Sequence, residues 1–413
     1  MNIRKSILGL SIAGLLLLSY EVNAQIGAGS NGQSIVNTVT TSVPFVRIAP
    51  DARAGGMGDV GIATAPDMNS IYQNASRLAF VQGDYGVAIH YTPWLRALVN
   101  DINMVTINGY YKIKKKQSIG LGLRYFSLGQ ITFTDNTGQT IRDFRPYEMA
   151  VDGHYARALS KNFGVGVGLR FIYSNLANNI TPQGGETIRP GYAGSGDLSF
   201  YYKQPIKLGK MNSELSLGLA LTNIGSKITY TNSSQKDFIP TNLGFGFGYK
   251  VEINEQNSIG IYYDLNKLMV PSPDGSPNDS TRRGTSVVKG MFTSFNDAPG
   301  WSDASGNYVK GSRSKEELRE LMHGIALEYW YAKLFSVRAG YFYEHPTKGA
   351  RQFLTLGVGV KYSIFGLDFS YLVPTSTVKN PLDNTLRFSL LFDFNKSAAD
   401  PLFKKKTEVA PTP

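Results

Sequence analysis

The feature that most constrains this chain is a strict two-residue alternation, cleanest in Phe163–Tyr173 (FGVGVGLRFIY), Ser213–Asn223 (SELSLGLALTN), Leu243–Val251 (LGFGFGYKV) and Leu354–Tyr362 (LTLGVGVKY). Successive strand residues point to opposite sides of a sheet. In the last segment Leu354, Leu356, Val358, Val360 and Tyr362 therefore share one face, and Thr355, Gly357, Gly359 and Lys361 the other. A soluble sandwich also alternates, but its outer face carries charged and hydroxyl residues. Here the second face is mostly glycine with single Arg or Lys side chains. Glycine weakens a strand unless something must approach it closely. An apolar face for lipid and a glycine-rich face for a lumen make a transmembrane β-barrel.

Fourteen segments fit the period: Tyr85–Tyr91, Ile102–Ile113, Gln117–Ser127, Tyr147–Arg157, Phe163–Tyr173, Gly196–Lys203, Ser213–Asn223, Asn242–Val251, Asn257–Leu265, Met322–Tyr331, Phe335–Tyr343, Gln352–Tyr362, Phe365–Leu372 and Thr385–Phe394. An even number allows antiparallel closure with both ends on one side. The connections alternate in length. Tight turns follow the second, fourth, eighth and tenth segments, while longer polar stretches follow the third, fifth, seventh, ninth and thirteenth, the longest over Asn266–Leu321. In such barrels the short turns are periplasmic and the long loops extracellular. The expected fold class is all-β: a transmembrane antiparallel β-barrel of about 14 strands in the outer membrane, with an N-terminal luminal hatch.

The ends agree with export. Arg4 and Lys5 precede an apolar run, Ile7–Leu18, that closes on Val22-Asn23-Ala24, the layout of a secretory signal peptide and too short to span a bilayer. The expected organisation is residues 1–24 signal peptide, 25–84 hatch, 85–394 barrel and 395–413 a periplasmic tail. With no cysteine, a lipoprotein anchor, a disulfide framework, a thiolate zinc site and a cysteine nucleophile are excluded. The 24 tyrosines, 22 phenylalanines and 44 glycines, set against only 18% charged residues, suit a barrel better than a soluble domain. The net charge of +11 has an address: Lys112, Lys114–Lys116, Lys161, Lys203, Lys207, Lys210 and Lys404–Lys406 fall on the side of the short turns. No base-stacking platform or recognition helix accompanies these lysines, so no nucleic acid partner is expected.

Two patterns tempt an enzymatic reading. Gly56, Gly58 and Gly61 have the G-x-G-x-x-G spacing of a dinucleotide loop, but that motif carries its mechanism only between a buried strand and a helix. Pro44, Pro50 and Pro66 interrupt both flanks, so Gly55, Gly56, Gly58 and Gly61 are expected to serve backbone geometry in the hatch. His90, His154, His323 and His345 sit in or beside four different strands with no i, i+4 pair. No catalytic residue, metal site or cofactor is expected from them.

Arg124, Arg170, Lys250, Arg338, Lys361 and Arg387 fall on the luminal parity, with Asp393, where they line an anion-selective pore or hold an internal plug. The facing glycines favour a plug or a bulky ligand, because a barrel of this size is open unless filled. In the longest loop, Met291, Phe292, Phe295 and Trp301 stand in a segment otherwise rich in Ser, Asp and Gly, marking either a partner-binding surface or a lid over the mouth. Ser314 and Glu317 have the spacing of a capping box opening a short helix.

Ala52-Arg53-Ala54-Gly55-Gly56-Met57-Gly58, the later Tyr72-Gln73-Asn74-Ala75 and the closing LRFSLLFDF, with terminal Phe394, resemble the FadL-like outer-membrane barrels and, within them, the PorV shuttle subunits of the type IX secretion system. The resemblance spans nearly the whole mature chain. Asn74-Ala75-Ser76 stands where many FadL-like proteins have Asn-Pro-Ala, a departure from the fatty-acid transporters. The resemblance implies a protein that is not an enzyme. It would bind a large outer-membrane translocon protein, accept secreted cargo by its C-terminal signal domain and deliver it to a surface attachment complex, seated in membrane lipid. The alternative is a FadL-like channel for hydrophobic small molecules.

Overall fold

The computed structural model describes residues 36–94, 101–135, 137–181, 185–232, 236–273, 280–303, 305–376 and 384–394. The expected signal peptide and C-terminal tail lie outside the described residues. Sixteen strands are present among the described residues: β1 Tyr85–Pro93, β2 Ile102–Lys114, β3 Gln117–Leu128, β4 Ile131–Thr134, β5 Thr140–Phe144, β6 Tyr147–Ala158, β7 Phe163–Asn175, β8 Gly191–Leu208, β9 Met211–Gly225, β10 Asn242–Glu252, β11 Asn257–Leu268, β12 Met322–Tyr331, β13 Phe335–Tyr343, β14 Gln352–Tyr362, β15 Phe365–Pro374 and β16 Leu386–Phe394. Fourteen of them close an antiparallel barrel, with β1 pairing β16 through Tyr85↔Phe394 to Tyr91↔Phe388. The other two, β4 and β5, form a hairpin within the connection from β3 to β6. No helix among the described residues is long and apolar enough to cross a membrane.

Each alternating segment is a barrel strand, and the largest departure is β8, which begins five residues before the expected Gly196 and ends five after Lys203. The GYAGS stretch that opens it has little hydropathic contrast between its faces. At the other end β8 outruns β7, whose last pair is Phe163↔Tyr202, so Pro205 lies on a free edge, where proline is tolerated. The parity of β14 is as the alternation requires. Leu354, Leu356, Val358 and Val360 are exposed on the outer face, whereas Phe353, Thr355, Gly357 and Gly359 are buried inside.

Residues 43–81 fill the lumen. The segment is a chain of short helical turns, Pro44–Arg47, Ala52–Gly55, Met68–Tyr72 and Ala75–Phe80, each too short to persist without tertiary support. Asp51 caps the second turn by accepting the Ala54 N–H at 2.8 Å, and Asp67 with Ser70 forms a capping box on the third. The apolar core is therefore inside the wall: Phe45 and Val46 pack against Trp94, Met104 and Phe126 toward the long loops, while Met68, Ile71 and Leu78 pack against Tyr110, Ala156 and Ala158 toward the short turns.

The luminal glycines admit this plug. A Cβ on Gly357 would lie 2.9 Å from Gly56 Cα, and one on Gly340 would lie 2.1 Å from the Met57 carbonyl carbon. Gly58 has φ +64°, and its own Cβ would press on the Tyr341 backbone at 2.9 Å. Only glycine fits there without strain.

Candidate functional site

Buried charge ties the plug to the wall. Arg53 donates to Glu328 through Nε and Nη2, each at 2.8 Å, and to Asp67 at 2.8 Å. Arg338, on β13, donates to the same Glu328 at 2.9 Å and to Asp368 at 2.6 Å. Around the barrel Arg170 pairs with Asp152 and with Asp197 at 3.0 Å, and Arg124 reaches Asp152 at 3.5 Å. Arg124 also donates to the Val46 carbonyl at 2.7 Å and stacks 4.5 Å above the Tyr72 ring. Arg387 pairs with Asp59 at 2.5 Å, and Asp264 accepts the N–H groups of Gly61 and Ile62 at 2.7 and 2.9 Å. Gly55 lies against Arg387, where a Cβ would meet the side chain at 2.7 Å.

Four of the six luminal basic residues, Arg124, Arg170, Arg338 and Arg387, are thus buried and engaged by carboxylates. Lys250 and Lys361 instead line a cavity of ≈ 500 Å³ at the short-turn end, where Lys361 meets Asp393 at 3.2 Å. The acidic partners escaped the sequence reading, although parity marks them. Asp152, Asp197, Asp264, Glu328 and Asp368 all occupy inward positions of membrane strands, where a carboxylate needs a cation. Arg53 and Arg77 of the plug carried no comparable signal.

One histidine lies beside a serine. His90 Nδ1 is 2.7 Å from Ser389 Oγ, and its Nε2 is 2.8 Å from Asn108 Oδ1. Asn108 spends its amide N–H on the Met68 carbonyl, so its oxygen accepts from His90 Nε2–H, and Nδ1 accepts from Ser389. Ser389 Oγ in turn accepts the Ala52 N–H at 2.8 Å. This wholly buried relay borders neither end cavity and stitches the plug to the seam between β1 and β16.

At the long-loop end, the connection between β11 and β12 folds over the mouth on a second ionic cluster. Lys267 donates to Glu320 at 2.7 Å and to Glu317 at 3.1 Å, while Lys348 donates to Glu316 at 2.7 Å and to Glu320 at 3.0 Å. Burial favours the neutral Glu320, but the two lysines outweigh it and hold the carboxyl below its usual range. The helix over Ser312–Arg319 starts at Gly311, and no side chain caps it. The expected capping box therefore does not form: Ser314 is already inside the helix, and Glu317 is spent on Lys267 and on the Ala298 N–H at 2.8 Å.

The four loop residues separate. Phe292 is 73% exposed and Phe295 47%, and Val288, 62% exposed, lies beside Phe292 on the short helix Val287–Thr293. Trp301 is half-buried beneath Arg319, whose guanidinium lies 4.4 Å from the ring. Met291 is 8% exposed. Because it is the buried anchor of its helix, it is not presented to a partner as expected, and Phe292 takes the outward position. Beneath this platform lies a cavity of ≈ 550 Å³ lined by Phe45, Trp94, Phe126, Phe342, Arg47 and Arg351, among others. Burial and the neighbouring Arg351 push the Arg47 guanidinium down to about 10.

The sequence matches, over residues 31–275, the family described as type IX secretion system protein PorV. No curated protein sequence matches the chain. Among solved structures it is similar to the Ralstonia pickettii toluene transporter TbuX, with 11% identity, 84% of this chain and 98% of that one covered, and a TM-score of 0.44. It is likewise similar to the Pseudomonas putida toluene transporter TodX, with 10% identity, 86% and 97% covered, and a TM-score of 0.43. A FadL homologue of Pseudomonas aeruginosa shares 11% identity over 87% and 100% of the two chains, with a TM-score of 0.39.

Proposed function

Because this chain belongs to the PorV family of type IX secretion system proteins, we propose that it binds the translocon through its long-loop end and carries cargo from there to a surface attachment complex. As a type IX secretion component it is an outer-membrane β-barrel. In this reading the short turns and the C-terminus face the periplasm and the long loops face outward. The N-terminal segment is a plug that keeps the lumen shut, and the protein performs no chemistry of its own. Cargo is recognised by its C-terminal signal domain.

The observation that carries the reading is the loop-end platform. Val288 and Phe292 on the helix Val287–Thr293, and Phe295 just after it, expose apolar area in a loop anchored by the buried cluster of Lys267, Lys348, Glu316 and Glu320. Exposed aromatics on a preorganised support are the usual anchors of protein interfaces. Losing one anchor costs about 2 kcal/mol or more, roughly thirtyfold in affinity.

A second reading, a channel for hydrophobic small molecules, is favoured by the aromatic wall of the loop-end cavity. It requires the plug to move, because the cavities at the two ends share no lining residue. The Phe292→Ser/Phe295→Ser double variant separates the two. Shuttling predicts an assembled barrel that no longer retains the translocon on extraction from the native outer membrane, with cargo secretion stopped. Translocon and secretion at wild-type levels, with altered uptake of hydrophobic compounds, would overturn the shuttle reading.

A further inference from the structure

The positive charge of this chain is gathered on one half of the short-turn end. The turns β2–β3, β6–β7 and β8–β9, residues 112–117, 157–163 and 203–214, carry nine basic residues and one acidic, Glu214. The turns β10–β11, β12–β13 and β14–β15, residues 250–257, 331–335 and 361–365, carry three basic and two acidic. Of the nine, Lys112 donates to the Val81 carbonyl at 2.6 Å and Lys203 lies 3.9 Å from Glu214. The other seven, Lys114, Lys115, Lys116, Arg157, Lys161, Lys207 and Lys210, are exposed, and their side chains pair with no described residue. The luminal arginines of the same chain are matched by carboxylates, whereas here like charges stand together and repel.

The register puts Arg157 on the lipid face. The outward parity of β6 runs through Val151, Gly153, Tyr155 and Arg157, while Asp152, His154, Ala156 and Ala158 are buried inside. Arg157 lies between Gln117 of β3 and Val165 of β7, with no carboxylate on either side. The Ala158 N–H donates to the Lys116 carbonyl at 2.9 Å, so the Lys114–Lys116 turn runs alongside, and Lys161 lies in the turn that follows β6. Tyr155, Tyr111 of β2 and Tyr202 of β8 are exposed on the outer face and form the aromatic girdle of this end. Arg157 is two residues beyond Tyr155, about 5 Å further along the membrane normal for a tilted strand, which is the level of the lipid headgroups.

Apolar side chains stand among the cations. Ile113 and Leu159 are exposed beside the Lys114–Lys116 turn and Lys161, and Ile206 and Leu208 beside Lys207 and Lys210. Charge alone would suit any polyanion in water, but exposed aliphatic groups would gain nothing from it. Cations level with apolar groups, above an aromatic girdle, fit a surface that is acyl below and anionic above. A guanidinium matches two phosphate oxygens with its planar fork, and neighbouring lysines add point charges. Under the sidedness proposed above, this end meets the periplasmic leaflet.

The geometry points to a headgroup site for an anionic phospholipid at this rim. Arg157, Lys116 and Lys161 hold the phosphate, and the acyl chains run down the wall over Tyr155, Ile119 and Val167, which are consecutive neighbours across β6, β3 and β7. Lys207 and Lys210 extend the same basic surface onto the β8–β9 hairpin. The bound lipid compensates charges that the chain leaves unmatched and fixes the depth of this half of the barrel in the leaflet.

The test titrates the purified barrel in a neutral detergent with phosphatidylglycerol or phosphatidylcholine of the same acyl chains and counts lipid adducts by native mass spectrometry. Phosphatidylglycerol is expected to be retained at least ten times more than phosphatidylcholine at equal lipid. Lys116→Gln/Arg157→Gln/Lys161→Gln should reduce it to the phosphatidylcholine level while the barrel stays heat-modifiable. As control, Lys289→Gln/Lys310→Gln/Lys315→Gln removes the same charge from exposed positions of the longest loop and should leave retention unchanged. Inorganic phosphate in tenfold excess over lipid should not displace the adduct, because the acyl chains contribute. Equal retention of the two lipids, equal loss in both triple variants, or displacement by inorganic phosphate would overturn the assignment. So would retention of isolated peptidoglycan in place of phosphatidylglycerol. The measurement is made in micelles, so it stands or falls separately from the sidedness and the shuttle reading.

Discussion

Replacing Glu328 by Gln removes the one negative charge that faces Arg53 of the plug and Arg338 of the wall together. Glu328 is 2% exposed and accepts two hydrogen bonds from Arg53 at 2.8 Å and one from Arg338 at 2.9 Å. Breaking a buried ion pair from one side costs about 3–5 kcal/mol, because the remaining charge loses its compensation. Here each arginine keeps a second carboxylate, Asp67 at 2.8 Å and Asp368 at 2.6 Å. The cost therefore falls at the low end, about 3 kcal/mol, which is a little over a hundredfold in an equilibrium. It falls on plug docking rather than on the barrel, since β12 keeps its ladders to β11 and β13. An Ala54→Cys background reads the opening directly, because Ala54, within the plug helix Ala52–Gly55, is buried and the chain has no other thiol. Alkylation by a water-soluble maleimide should be about a hundredfold faster with Glu328→Gln, with the heat-modifiable mobility of the barrel unchanged. Adding Arg53→Met should recover part of the protection by removing the stranded cation. Equal alkylation rates with and without Glu328→Gln would refute the claim that buried charge holds the plug.

Val358→Arg places a cation on the lipid face and, near the midplane, should cost about 2–4 kcal/mol in barrel stability, read from heat-modifiability. An open lumen would accept Gly357→Arg more easily. With Gly56 Cα 2.9 Å from the site, Gly357→Ala should already loosen the plug by about 1–3 kcal/mol and Gly357→Arg should displace it, so wild-type protease resistance of Gly357→Arg would refute the close packing. Gly58→Val combines φ +64° with a backbone clash and should cost about 1–3 kcal/mol in plug docking, while dinucleotide titration of the wild type should show no saturable binding. Glu320 is held below its usual value of 4.5, so its contribution to the loop is fully present above that pH and is lost as pH falls through the lower folded value. Proteolysis of the loop should accelerate on acidification, and Glu320→Gln should be cleaved at a rate that varies less with pH.

Much of the architecture was legible because a membrane barrel repeats one rule at every strand. Lipid must see apolar side chains, and a period of two turns that demand into parity, which is why the faces of Leu354–Tyr362 are assigned without any long-range information. Loop and turn lengths add closure. The rule fades where a strand leaves the bilayer or lacks contrast, as at GYAGS and Gln204–Leu208 in β8, and it says nothing of the β4–β5 hairpin above the wall.

The sequence by itself determined the barrel, the number of its strands, which side chains face lipid, and that the luminal glycines must admit something. All of these are consequences of local periodicity under one solvent constraint. Only the tertiary structure decided what is admitted and how it is held. Arg53 and Glu328, 275 residues apart, and Gly56 and Gly357 meet because the plug threads a closed wall. Such contacts leave no local signature, since a buried arginine and a solvated one are written with the same letter. The same holds for Met291 and Phe292: adjacent in a polar loop, they are told apart only by which one the folded loop turns inward.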